Sequence, residues 1–483
     1  MIRAALLSVV CLSLPLSLVA PLAEAREARE TRQSGPHAVH KAPQVRDLPA
    51  IRTSRVLRVL VNQSRNSSGD VKGQEIGVEY HRLQAFERYL NSQDKAGQKI
   101  TVKFIPKAKD QLLGALLRGE GDLVAPSELL DEQAVKGVVA SRAIVADVPL
   151  VLVGARGQRS FKQLEQLSGR TLSLPAGSVA DVAVQRLNQR LALRKLAPVH
   201  IEWADPSLAV EDVMEMVQAG IYPMTVVEQP IAERWARVMP RLRVDRNLKF
   251  GTEGDISWFV RQDARLLQAD VDRFLSTYKA PAQQDQAFEK AYKSLYRVNS
   301  PLARNNLQRL EQLRPILQRH GEAQGIDWLD LAALAFKESK LDPSAKGSGG
   351  ATGLLQITPS AARRVGVNNI QHADGNVQAA SRYMALIQRK FFASRKINDR
   401  ERMAFVLAAY NLGPERVQKM RQEARKRGLN PDKWFFQTER VAMEQNGAGV
   451  VMFVNSVNKY YLAFDRQRAS LEGQRQATYA VRK

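Results

Sequence analysis

One glutamate, Glu338, stands where an apolar helix pattern meets a glycine-rich loop. Residues 338–359 read ESKLDPSAKGSGGATGLLQITP. Leu331, Leu334 and Ala335 fall on one helical stripe, and Glu338 is the next position of that stripe. A carboxylate on the core-facing side of a helix is costly to bury unless it is partnered or used. Desolvation there favours the protonated form, which is the state a general acid must have. The same position also suits an inert, hydrogen-bonded glutamate at a helix edge.

The elements that must hold Glu338 can be read on either side of it. Asp327 is placed as the N-cap of its helix. Leu307, Leu310, Leu313 and Leu317 form the stripe of a preceding helix. From Asn305 onward the patterns are helical without strand alternation, which predicts an all-α domain over 305–466. A helix over 403–411 ends at Tyr410-Asn411 and is stopped by Gly413-Pro414. The nearest second carboxylate, Asp342, precedes Pro343, where an aspartate shapes a turn. The six histidines are scattered, with His320 and His372 in this domain. No H-E-x-x-H or similar spacing occurs, so neither a metal nor another cofactor is expected. No G-x-S-x-G and no P-loop pattern occurs either.

At 483 residues the chain is too long for one compact core. Its 44% hydrophobic and 25% charged composition is that of a globular protein, and its net charge of +23 calls for an anionic partner. Met1-Ile2-Arg3, an apolar run over 4–20 and an Ala23-Glu24-Ala25 cleavage site read as a signal peptide over 1–25. Export to the periplasm argues against nucleic acid and leaves an acidic polymer or an anionic membrane surface. The one cysteine, Cys11, follows Val10 rather than a small residue, so a lipid anchor is not expected. Residues 26–52 read as a flexible basic leader and 467–483 as a disordered basic tail.

Between the leader and the helical domain, strands and helices alternate. Val56 to Val61, Ile100 to Phe104 and Asp122-Leu123-Val124 read as strands, with helices near 80–90 and 111–118 between them. The alternation restarts after 148–153, and Ile256 to Val260 returns to a strand suited to the first unit. This predicts two parallel α/β lobes over 53–280, the second over about 154–250, with the chain crossing twice. Residues 281–304 read as a linker. Leu57-Arg58-Val59-Leu60-Val61, Gly119-Glu120-Gly121-Asp122-Leu123 and Leu174-Pro175-Ala176-Gly177-Ser178 resemble the family 3 periplasmic solute-binding domain. The resemblance implies a ligand cleft between the lobes. Gly177 and Ser178 would offer backbone N–H groups to an anionic group. Glu228 maps to the acid that holds a ligand amine, and Ser127 keeps a small polar contact. The arginine that clamps an amino-acid carboxylate maps near Ala134 and is absent, so a peptide, or no ligand, is a better expectation than a free amino acid.

Glu338-Ser339, Gly353-Leu354-Leu355-Gln356-Ile357-Thr358-Pro359 and Ala409-Tyr410-Asn411-Leu412-Gly413, in that order, resemble the soluble lytic transglycosylase (SLT) family. The resemblance implies a goose-lysozyme-like fold and, as substrate, peptidoglycan glycan strands with their stem peptides. Cleaving a glycosidic bond needs an acid for the leaving oxygen and something to stabilise an oxocarbenium-like centre. The motifs offer one carboxylate, and in the resembling family the substrate's N-acetyl group and C6 hydroxyl supply the rest, leaving a 1,6-anhydromuramyl end. Glu338 would then be acid first and base second, which needs a pKa lifted toward neutrality. Ser339, Gln356, Tyr410 and Asn411 would contact substrate. Phe453-Val454 stands where the family often has Tyr-Val, so a hydroxyl near the acid is missing. A hydrolytic muramidase, or an inactive periplasmic sensor, are the alternatives. The basic charge would hold the protein on peptidoglycan or peripherally on the outer membrane.

Overall fold

The computed structural model describes residues 45–472 apart from 68, 72, 73, 94–98, 132–134, 253, 294, 297 and 298. The signal-peptide reading, Cys11, Ala134 and the end of the tail lie outside the described residues.

The first lobe comprises α1 (Leu48–Ser54), β1 (Val56–Asn62), α2 (Val78–Ser92), β2 (Thr101–Lys107), α3 (Leu112–Leu117), β3 (Leu123–Ala125) and β4 (Val138–Ala140). In the second lobe are β5 (Pro149–Ala155), β6 (Thr171–Leu174), α4 (Ala180–Leu193), β7 (His200–Trp203), α5 (Val210–Gln218), β8 (Thr225–Glu228), α6 (Gln229–Val238) and β9 (Leu242–Thr252). The chain then returns through β10 (Phe259–Arg261) and α7 (Arg265–Thr277) to the first lobe. The first sheet has the order β2-β1-β3-β10-β4. β1 runs parallel to β2 and β3, while the returning β10 is antiparallel to β3 and β4. That edge already departs from the expected parallel sheet, and the second lobe departs further. Its central trio β8-β5-β9 is antiparallel, and parallel pairing is confined to β6 and β7. Leu150, Val151, Leu152 and Val153 of β5 are all buried, so this strand has no solvent face from which alternation could show.

Two stretches read as connecting or flexible are packed. Before β1, Leu48 and Ile51 enter the first lobe's core, and buried Arg46 pairs with Asp122. The leader reading over 26–52 therefore fails from residue 45, because an ion pair and an apolar helix face hold the segment. In the expected linker, α8 (Gln284–Tyr292) and the following turn lay Phe288, Tyr292 and Tyr296 around Trp235 of α6, with ring centroids 4.8–5.4 Å from it. The tail is likewise anchored at its start, where Trp328 Nε1 donates to Glu472 at 2.9 Å and Arg468 pairs with Asp327.

The helical domain contains α9 (Arg304–Gln324), α10 (Trp328–Ser339), α11 (Pro359–Arg363), α12 (Ala373–Phe391), α13 (Asp399–Leu412), α14 (Pro414–Lys426), α15 (Glu439–Asn446) and α16 (Ala448–Asp465). α10 is its central helix: every residue from Trp328 to Phe336 is buried, and α9 and α16 flank it. Asp327 caps it by accepting from Leu329 N at 3.1 Å. One apolar cluster runs without interruption from Val151 and Trp235 through Tyr292 to α10 and α16, so the second lobe and the helical domain share a core. Buried ions cross the same boundary. Lys459 of α16 pairs with Asp212 (2.6 Å) and Glu215 of α5. Arg65, in the loop after β1, reaches Asp212 (3.3 Å) and Glu439 of α15 (3.2 Å).

Candidate active site

Glu338 sits in the last turn of α10, and the chain leaves the helix through two left-handed residues, Lys340 (φ 58°) and Leu341 (φ 63°). Leu341 N returns to Ala335 O at 3.4 Å, while buried Leu341 anchors the turn in the core. Ser339 closes the helix end: its hydroxyl donates to Ala335 O (3.0 Å) and accepts from Asp342 N (3.1 Å). Asp342 accepts from the Ser344 N–H and hydroxyl, which hold its carboxyl below the usual range. That is a turn-shaping arrangement, as its place before Pro343 implies.

The glycine-rich loop is folded back against α12. Gly353 has φ 74°, and a Cβ there would lie 2.5 Å from the Asn376 amide, so no side chain fits. Fully buried Asn376 donates to Thr352 O (2.8 Å) and Ile370 O (3.1 Å) and accepts from Leu355 N (3.0 Å). Tyr410 takes the other end of the same residue, its hydroxyl donating to Leu355 O at 2.8 Å. Gln356 adopts φ 46° and turns its amide inward, Nε2 donating to Ala345 O (3.1 Å) and Gly353 O (2.9 Å). Its amide therefore organises the loop rather than reaching out of it. With Thr358, Arg364, Tyr383 and Tyr410, Gln356 lines a hollow of about 160 Å³. Asn411, one residue past Tyr410, is exposed. Phe453 is buried in α16.

Glu338 itself is half-buried and makes no hydrogen bond or ion pair among the described residues. Burial pushes its carboxyl up to about 7, with Lys337 pulling modestly the other way. Tyr410 feels the Glu338 charge: its hydroxyl is held well above the usual phenol range by burial first, then by Glu338 and Tyr383. The structure thus brings Tyr410 near Glu338, with Gln356 beside Tyr410 in the hollow, and leaves Ser339 as a helix-end brace. Sequence reasoning missed Lys337 and Asn376. Lys337 is one position before the acid, with Nζ 3.5 Å from Ser456 Oγ, and burial lowers its pKa. Asn376 follows Gly375 in an otherwise unremarkable helix start, and nothing in its local sequence marks it.

The second candidate cleft is built differently. A space of about 850 Å³ opens between the two lobes and the helical domain, lined by Asn62, Lys109, Pro175, Ser207, Arg400 and Phe436 among others. The buried Glu228 is already satisfied by the chain, accepting from Lys109 Nζ (3.2 Å) and Leu129 N (3.2 Å). Lys109 also pairs with Glu128 at 3.0 Å, and Asn62 Nδ2 donates to Glu128 Oε1 at 2.7 Å. Burial alone would lower the Lys109 pKa, but Glu228 and then Glu128 raise it. Lys109 belongs to the first lobe and Glu228 to the second, so this pair bridges the lobes. Gly177 (φ 72°) lies against the same segment, where a Cβ would come 3.1 Å from Asp110 N. Ser178 N donates to Pro175 O (3.1 Å), and its hydroxyl accepts from Ala180 N (3.2 Å). Ser127 (φ 62°) donates to Glu79 Oε1 at 3.2 Å. Ser127, Ser178 and Glu228 thus hold internal partners, which the sequence phrases could not disclose.

Residues 315–432 match the family model described as the transglycosylase SLT domain. The helical domain is an SLT domain. Over most of its length the chain is similar to proteins named membrane-bound lytic murein transglycosylase F. The relative from Desulfosudis oleivorans is 26% identical over 394 residues, covering 80% of this chain and 81% of that protein. That from Stutzerimonas stutzeri is 26% identical over 441 residues, covering 86% of each. Among solved structures, an amino acid ABC transporter substrate-binding protein, AbpA, from Streptococcus pneumoniae bound to L-arginine is similar at 16% identity and a TM-score of 0.39. It covers 52% of this chain and 97% of that one. The ancestral amino acid-binding protein AncCDT-1 is similar at 18% identity and a TM-score of 0.40, covering 51% and 99%. Glu338 and the loop over 342–358 lie inside the SLT match, as do Asn376 and Tyr410.

Proposed function

We propose that this peptidoglycan lytic transglycosylase cleaves the β-1,4 bond between N-acetylmuramic acid and N-acetylglucosamine and leaves a 1,6-anhydromuramyl end. The observation that carries this reading is a half-buried Glu338 with a pKa of about 7 and no partner among the described residues, inside the SLT domain. Near neutral pH such a group is protonated in a large fraction of molecules and can still accept a proton afterwards. Glu338 gives its proton to the leaving glycosidic oxygen as the C1–O bond breaks. The carboxylate so formed takes the C6 hydroxyl proton as O6 bonds to C1, restoring the acid without consuming water. Tyr410 and the Leu355 peptide it holds form the wall beside the acid, with the hollow at Gln356 and Arg364 available to a sugar substituent. Ser339 supports Glu338 by bracing the helix end. Mass spectrometry of digested peptidoglycan tests the reading: anhydro ends are expected. Reducing muramic ends alone would replace it with hydrolysis, and no cleavage at all would replace it with a sensor.

For the two-lobed domain, over roughly 53–280, we propose that it takes peptide stems in the wide cleft and positions the SLT domain. That cleft is bordered by both lobes and by α13 and the segment before α15, so an occupant touches all three. With Glu228 held by Lys109, a ligand amine is not what the cleft is built to receive. Calorimetric titration of muropeptides into the full chain tests this; no binding up to millimolar concentration would leave the domain a spacer. The fit to relatives named membrane-bound supports a place in the cell envelope, after export to the periplasm. Among the described residues no helix is long and apolar enough to cross a membrane. Association with the outer membrane would then be peripheral, through the +23 charge.

A further inference from the structure

Adjoining the wide cleft, with which it shares Gln63, Phe104, Pro106, Arg427 and Leu429, a hollow of about 210 Å³ lies between the first lobe and the SLT domain. Tyr80 of α2 and Phe104 of β2 line one side, their rings stacked on each other at 5.4 Å and 24°. Met443 of α15 and Val451 of α16 supply apolar surface from the SLT domain. Five charged side chains reach the space: Arg65, Arg427, Arg440, Glu439 and Glu444. Arg427 pairs with Glu423 and Glu444. Arg65 pairs with Glu439 at 3.2 Å and Asp212 at 3.3 Å. Arg440 is left over. Its Nε donates to Phe436 O at 3.2 Å, and its terminal nitrogens meet no acceptor among the described residues.

Arg440 is half-buried with Glu439 beside it, and a carboxylate can match the free end of its fork with two parallel hydrogen bonds. Burial brings the Arg440 pKa down to about 10, with Arg65 pushing the same way and Glu439 opposing, so the group remains a cation at neutral pH. The space exceeds the roughly 150 Å³ in which an apolar cavity holds benzene. Flat rings on one side and an unpaired fork on the other select a particular shape of ligand. We propose that this junction is a binding site for a small monocarboxylate with a flat apolar body. Its carboxylate sits on Arg440 and its body lies against Tyr80 and Phe104. Because the walls belong to different domains, such a ligand clamps the first lobe to the SLT domain and stabilises the whole chain by mass action.

Benzoate is the probe and benzamide its neutral isostere, both titrated calorimetrically into the full-length protein with thermal unfolding in parallel. Benzoate is expected to bind with a Kd below one millimolar and to raise Tm, with benzamide at least tenfold weaker. Arg440→Gln should abolish the preference, and Tyr80→Ala should weaken benzoate about tenfold while leaving glycan cleavage unchanged. Arg440→Lys keeps the charge without the fork and should fall between native and Arg440→Gln; it carries the test if Arg440→Gln does not fold. Equal binding of benzoate and benzamide by the native protein, or native benzoate affinity in the Arg440 variants, overturns the proposal.

Discussion

Glu338, half-buried, and Glu228, buried, are both acids at the end of a regular element, and the chain treats them oppositely. Glu228 ends β8 and meets a lysine from the facing lobe and a backbone N–H. Glu338, in the last turn of α10, meets neither among the described residues, so the cost of its partial burial shows as a pKa of about 7. The residues around Glu338 are tied to each other instead: Ser339 to Ala335, Gln356 to Ala345, Tyr410 to Leu355. A carboxylate with matched donors is a structural part. One set in a rigid frame and left without donors retains its proton affinity for use on another molecule.

The largest expected effect lies at Glu338. Glu338→Gln should lower the rate of peptidoglycan clearing by about 10²–10⁴-fold, the usual range for a general acid. The same variant bears on stability. A carboxyl whose folded pKa is raised binds its proton more tightly when folded, so native stability falls as pH rises from about 4.5 to about 7. Glu338→Gln removes that loss and should gain about 1–3 kcal/mol at pH 8 relative to pH 4 by urea unfolding. Glu211 and Glu401 are also raised to about 7 by burial, so the difference between native and variant, not the native curve alone, isolates Glu338. Native stability parallel to the variant at every pH would show Glu338 to be ordinary.

At the other acid the expected effect is on folding. Lys109→Ala leaves Glu228 and Glu128 buried without their cation and should cost about 3–5 kcal/mol. Added ethylammonium should recover part of the loss, and denaturation midpoints measured with and without it decide the matter. A smaller change tunes the comparison. Lys337→Met removes the cation that favours ionised Glu338, so the alkaline limb of the activity profile should move to higher pH by up to about one unit. Ser339→Ala should be the mildest, costing about 1 kcal/mol of stability through the lost helix-end bonds and leaving kcat within a few-fold. A kcat collapse in that variant would make Ser339 part of the chemistry.

Legibility in the sequence followed locality. The α10 stripe, its Asp327 cap and the turn at Asp342 depend on neighbours within a few residues, and each could be read from spacing. In the first lobe β1, β2 and β3 were legible as strands for the same reason, and β10 as a return to that lobe, but their order in the sheet was not. The antiparallel trio of the second lobe was not, since a fully buried strand carries no mark of its partner's direction. Lys109 on Glu228, Asn376 under the loop and Arg46 on Asp122 join residues 119, 21–24 and 76 positions apart. Pairings at that range leave no local pattern, so candidate ligand residues in the two-lobed domain could be named without showing that the chain already used them.

Lys459 is 1% exposed at its side chain, yet it reaches across to Asp212 and Glu215 of the other domain. Such a joint is a key cut for one lock. An SLT module moved onto a foreign partner domain would bring an ammonium ion into a dry interface with nothing to receive it, and the two-lobed domain moved alone would lose that cation from Glu215 and leave Asp212 to Arg65. The two halves can therefore change partners only if α5 and α16 change together, which makes this protein poor material for modular recombination.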